Sequence, residues 1–123
     1  MSTSEIATVL AWHDALNSGD VDTLIDLSSD DVELAGPRGA SQGIDALRSW
    51  AQDAGVHLVA GRMFTQHGVF VVQEEAAWAD GTATVASAFR VVDNQVVSVF
   101  RHTDLDEALA ATGLGADDEV DPA

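Results

Sequence analysis

The chain contains no cysteine and no lysine, and only five arginines stand against 21 acids, for a formal net charge of -16. Each shortage excludes something. Without thiols there is no disulfide frame, no thiolate metal site and no cysteine nucleophile. With so few cations, nucleic-acid phosphates and anionic membrane surfaces are repelled rather than bound. No apolar run approaches the ~20 residues of a membrane span. The start, Met1 to Glu5, lacks the basic and apolar regions of a secretion signal, so a cytoplasmic location is expected.

What is present is 46% apolar residues in a chain of 123, enough for one domain with one core. Asp117, Asp118, Glu119 and Asp121 fall in a Gly/Pro-containing end without apolar periodicity. The expected organisation is therefore a single domain over 1–114 and a disordered acidic tail over 115–123. The 17 acids outside those four belong to a solvated surface.

The first half reads as helical. Ser2 and Glu5 have capping-box spacing, and Ile6, Val9, Leu10, His13 and Leu16 follow at helical intervals. Asn17-Ser18-Gly19 stops that helix, and Asp20 caps a short second one. A strand over 31–35 turns Val32 and Leu34 to one face, Gly36-Pro37-Arg38-Gly39 is a loop, and a third helix follows Gly43. From Val56 the pattern changes to four strands, over 56–65, 69–79, 82–92 and 95–103. Asp104 and Glu107 then cap a helix over 105–112 that ends at Gly113. Helices first and an antiparallel meander afterwards define an α+β fold, a curved sheet whose inner face the N-terminal helices cover.

Strand arithmetic places side chains. A two-residue turn at Asp80-Gly81 sets Glu74 opposite Ser87 on a face otherwise made of Phe70, Val72, Ala76, Trp78, Val85, Phe89 and Val91. Glu74 is thus a carboxylate on an apolar face. Such a group is costly unless paired or lining a cavity, and a desolvated carboxyl is a usable acid or base near neutral pH. The next strand supplies a partner by one of two routes. A two-residue turn at Asp93-Asn94 brings His102 to this face, whereas a three-residue loop brings Val97, Val99 and Arg101; the more apolar set favours Arg101.

Several segments in this order resemble the nuclear transport factor two-like superfamily, in particular its SnoaL-like and ketosteroid-isomerase-like branch. They are Ala15-Leu16-Asn17-Ser18-Gly19-Asp20, the run from Asp31 to Gly39, the run from Ala88 to Val96, and Arg101-His102-Thr103-Asp104-Leu105. The resemblance implies a cone-shaped sheet around a long helix, a pocket at one end, and homodimers through the outer sheet face. It spans cofactor-independent isomerases, cyclases, dehydratases and epoxide hydrolases, and also non-catalytic domains. Matched through these anchors, the ketosteroid isomerase tyrosine falls on Trp12, its base on Gly36 and its protonated aspartate on Ser87, so that chemistry does not transfer. A SnoaL-like cyclase uses one acid/base residue in an apolar pocket, a part Glu74 can fill.

The expected catalytic set is accordingly Glu74 with Arg101 or His102, and the ligand-binding set is Trp12, Leu34, Phe70, Trp78, Ser87 and Phe89. Trp50 ranks behind Trp12 and Trp78 as a pocket residue. His13 reads as a hydrogen-bonded core histidine. Arg38 stands near the expected pocket rim. His102 and Asp104 alternate on a strand, but His57 and His67 are dispersed, so no metal site and no cofactor is expected. The expected partner is a small hydrophobic or aromatic molecule. Two functions fit: acid/base turnover at Glu74, or a non-catalytic ligand-binding or dimerisation module.

Overall fold

The computed structural model of the chain describes residues 3–36, 39–53 and 55–121. Ser2 of the expected capping box and Arg38 lie outside them. The elements are α1 (Thr3–Ser18), α2 (Val21–Asp26), β1 (Ser28–Gly36), β2 (Gly39–Gln42), α3 (Ile44–Asp53), β3 (His57–Gln66), β4 (Val69–Trp78), β5 (Gly81–Val92), β6 (Gln95–His102), α4 (Leu105–Thr112) and β7 (Glu119–Val120). The fold is α+β, as expected. The sheet is seven-stranded and open, in the order β2-β1-β6-β5-β4-β3-β7, antiparallel except where β1 runs parallel to β6. No described helix is long and apolar enough to cross a membrane.

Two layers of apolar side chains sandwich the sheet. On the inner face, Met63, Phe70, Val72 and Phe89 are buried with Val9 and Trp12 of α1, Leu24 of α2 and Leu47 of α3 in one core. On the outer face, α4 lays Ala108 over Phe64, Val71, Ala86 and Ala88. The period of two along β4 and β5 dictates this division, since alternate residues must serve opposite faces.

Three details correct the strand arithmetic. The turn between β4 and β5 is Ala79-Asp80, so Trp78 pairs with Gly81, Val72 with Ser87, and Glu74 with Val85. Moving the turn one residue shifts each pairing by two, which preserves every side chain's face. Between β5 and β6 the turn is the two-residue Asp93-Asn94, with φ of 52° and 61°, as a primed turn requires. An extra residue at Val97 then shifts the register, and Val99 and Arg101 join Phe89 and Ser87 on the inner face. The shorter turn and the face expected from the longer one therefore coexist.

The third correction concerns the ends of the sheet. Gly39–Gln42 forms an exposed edge strand where a loop is expected. Residues 115–121, expected to be disordered, form a 3₁₀ turn over Ala116–Asp118 and then β7, which pairs with Met63 and Phe64 at the other edge. Arg62 holds Glu119 through two 2.9 Å bonds there, a tie that composition does not reveal.

One side chain fastens α1 to β3. Asn17 donates from Nδ2 to the Leu58 carbonyl at 2.6 Å and accepts the Leu58 N–H on Oδ1 at 2.8 Å. Its amide thereby occupies the hydrogen-bonding place of a neighbouring strand residue. Asn17→Ala should lose both bonds and cost about 1–3 kcal/mol, read as a lower denaturant midpoint with an unchanged slope.

Candidate functional site

A cavity of about 730 Å³ opens between α3, the β1–β2 hairpin and the far ends of β4 to β6. Its apolar wall is Leu34, Trp50, Trp78, Val85 and Val99. Small residues, Gly36, Gly39, Ser41, Ala46 and Ser49, leave the space that larger side chains would fill. Arg101 and Asp53 bring opposite charges to the wall. Arg101 is half-buried, and its guanidinium makes no ion pair or hydrogen bond with another described residue. Among the described residues Arg48 and Arg90 also lack an ion pair but are exposed; Arg101 is the half-buried one of the three and borders the cavity.

His102 also borders the cavity, but its register partner is Ala86 on the outer face. Its Nδ1 donates to Glu107 Oε1 at 3.2 Å. The turn at the start of α4 is tied by Glu107, which accepts the Thr103 N–H and hydroxyl, while Asp104 Oδ1 accepts the Glu107 N–H at 2.8 Å. The Thr103 N–H, then the His102 ring and the Thr103 hydroxyl, hold the Glu107 carboxyl below its usual range. Bonds from the Thr23 hydroxyl and N–H do the same for Asp20 at the start of α2. Carboxyls lowered in the folded state stabilise above the ordinary carboxylate range, and that contribution is lost as pH falls through their lowered values. Acidification should therefore loosen the starts of α2 and α4 before the sheet opens, seen as faster amide exchange at Thr23 and Thr103, the N–H groups these carboxylates hold.

Beneath the cavity lies a closed aromatic and polar layer. Trp12 is fully buried, stacks on Trp50 with ring centroids 5.9 Å apart, and donates from Nε1 to Ser28 Oγ at 3.2 Å. The edge-on ring pair of Trp12 and Phe89 has centroids 5.3 Å apart. Phe70 is packed within the core. Glu74 is 1% exposed; its Oε1 accepts the Ser87 hydroxyl at 2.7 Å and its Oε2 lies 2.5 Å from His13 Nε2. Ser87, two places along from the residue facing Glu74, reaches it diagonally across the ladder.

The structure thus separates residues that the sequence reading groups together. Leu34, Trp78, Arg101 and His102 border the cavity, whereas Trp12, Phe70, Glu74, Ser87 and Phe89 lie in the layer below it. The partner of Glu74 is His13 from α1, not Arg101. Sequence reasoning ranks Trp50 last of the three tryptophans, yet Trp50 forms the cavity wall. Its signal is the pair of small residues Ala46 and Ser49 before it on α3. The signal for His13 is its place as the polar member of the α1 stripe, facing a sheet with an inward carboxylate.

A model of the SnoaL-like domain matches residues 9–107, and the chain belongs to that family. Solved structures share the fold at low identity. An NTF2-like protein of unknown function from Cytophaga hutchinsonii is 15% identical over 85% of this chain and 91% of its own, with a TM-score of 0.75. A Kribbella flavida protein provisionally named a ketosteroid isomerase is 19% identical over 80% of this chain and 76% of its own, with a TM-score of 0.73. A Sinorhizobium meliloti protein provisionally named a polyketide cyclase is 18% identical over 78% of this chain and 94% of its own, with a TM-score of 0.70. No curated protein matches the sequence.

Proposed function

We propose that this protein binds a small apolar or aromatic molecule carrying a carboxylate, phenolate or enolate oxygen, with Arg101 as its polar anchor. The observation that carries this reading is a half-buried guanidinium that, among the described residues, has no ion-pair partner and borders a cavity walled by Leu34, Trp50, Trp78, Val85 and Val99, with Asp53 as the other charge. A planar fork of donors in a low-dielectric recess favours an oxygen anion, while Trp50, Trp78, Val85 and Val99 receive the ring. The volume lies within the roughly 300–1,000 Å³ usual for ligand pockets. The ketosteroid and polyketide in the names of two neighbours support ring-bearing oxygenated ligands. Calorimetric titration with 1-naphthoate and with neutral 1-naphthalenemethanol tests the reading. Naphthoate should bind at least about tenfold more tightly; equal affinities reject an arginine anchor.

A second reading is cofactor-independent isomerisation, cyclisation, dehydration or hydrolysis, with Arg101 stabilising the oxyanion and Glu74, enclosed in the layer below, moving a proton only when substrate reaches past that layer. It draws on the close His13–Glu74 contact, which gives Glu74 a proton-exchange partner. Deuterium uptake at the enolisable carbon of 2-tetralone in D₂O should then exceed the buffer rate in the native protein and fall to it in Glu74→Gln. The homodimer implied by the family is proposed for the outer face, where Val92 and Phe100 are exposed. Sedimentation equilibrium tests it.

A further inference from the structure

The buried pair of His13 and Glu74 belongs to neither wall nor rim of the main cavity. We propose that the two side chains form one proton-binding site, holding a single shared proton between Nε2 and Oε2, which exchanges with solvent through a second cavity and whose occupancy seats α1 on the sheet.

Hydrogen-bond logic sets the occupancy. His13 Nδ1 lies 2.8 Å from the Val9 carbonyl oxygen, and a carbonyl only accepts, so Nδ1 carries a hydrogen. The Ser87 hydroxyl donates to Oε1. That leaves the 2.5 Å contact between Nε2 and Oε2. With no proton there, a nitrogen lone pair faces a carboxylate. With a proton on each, two hydrogens meet and a net positive charge is buried. One proton satisfies both atoms, whether it resides on imidazole or carboxyl.

The second cavity, about 470 Å³, lies between α1 and β3, and His13 is part of its lining together with Leu10, Asp14, Asn17 and His57. The titratable groups nearest the pair on its neighbouring elements are Asp14, exposed on α1, and Arg101 on β6, which pairs with Ser87; His57 alternates with the buried Leu58 and belongs to the outer face. None of them forms an ion pair with His13 or Glu74, and Glu75 and Arg90 also belong to the outer face. The same contact also positions what lies above. The His13 ring meets Phe89 at 5.2 Å and its neighbour Trp12 stacks on Trp50, so lifting α1 loosens the floor of the main cavity.

The test uses the ligand-free protein and so stands or falls apart from the binding reading. Glu74→Gln substitutes an amide that donates to Nε2 and accepts from Ser87, mimicking the one-proton state with a hydrogen that cannot be lost. In the native protein, amide protection factors across α1 should fall at least about tenfold between pH 7 and 10, while in Glu74→Gln they should change less than about twofold. Identical profiles would overturn the proposal. Should the variant fail to fold, ¹⁵N spectra of the native histidines decide. His13 must keep a hydrogen on Nδ1 and show the Nε2 shift of a nitrogen sharing a hydrogen with Glu74; a His13 with an unengaged Nε2 overturns it.

Discussion

Replacing Glu74 with alanine should lower stability by about 3–5 kcal/mol, the range for removing one partner of a buried ion pair. For a chain of this size that corresponds to a fall in Tm of roughly 10–20 °C. The loss arises from what is left behind. His13 Nε2 and the Ser87 hydroxyl, both closed off from water, would face a void where the carboxylate was. Thermal scans of Glu74→Ala, His13→Leu and the His13→Leu/Glu74→Leu double variant separate this from a simple packing defect. The double variant removes donor and acceptor together and should recover most of the stability that either single change loses, because no buried polar atom of the pair remains. If the losses simply add, the two side chains are not energetically coupled.

Replacing Arg101 with methionine should abolish the preference for anionic ligands. Affinity for 1-naphthoate should fall about 10- to 100-fold, the equivalent of one charge-assisted bond, while neutral 1-naphthalenemethanol should bind as before. Stability should hardly change, since Arg101 engages no described partner in the free protein and methionine fills a similar volume along an apolar wall. Arg101→Lys should retain part of the anion preference, because a point charge replaces a two-pronged donor. A loss of affinity equal for both ligands would instead mean that the arginine stem, rather than its charge, shapes the cavity.

The inward placement of Glu74 is legible in the sequence because faces depend only on odd or even position. A misplaced turn shifts pairings by two and leaves the face intact. Its partner is not legible, since His13 lies 61 positions away on a helix whose rotation against the sheet is set by packing of the whole core. Arg101 reaches the expected face by a different route from the expected loop length: the decisive preference for burying Val99 is satisfied by a bulge rather than by a longer turn. Gly39–Gln42 has too little strand propensity to be recognised alone, and Glu119–Val120 is too short; each is a strand because a neighbour's free edge is there to receive it.

The bulge at Val97 decides which cationic side chain faces the cavity. Loss of Val97 itself would keep Val99 opposite Phe89, whereas a regular ladder that kept Val97, pairing it with Arg90, would exchange the two faces of the strand beyond it. The residue now at position 102 would then turn inward, and the one at 101 outward. A permanent cation in the binding cavity would be replaced by an imidazole whose charge follows ambient pH. Relatives that keep this strand length but lack the bulge should therefore differ in the charge of ligand they prefer, even with the rest of the wall unchanged.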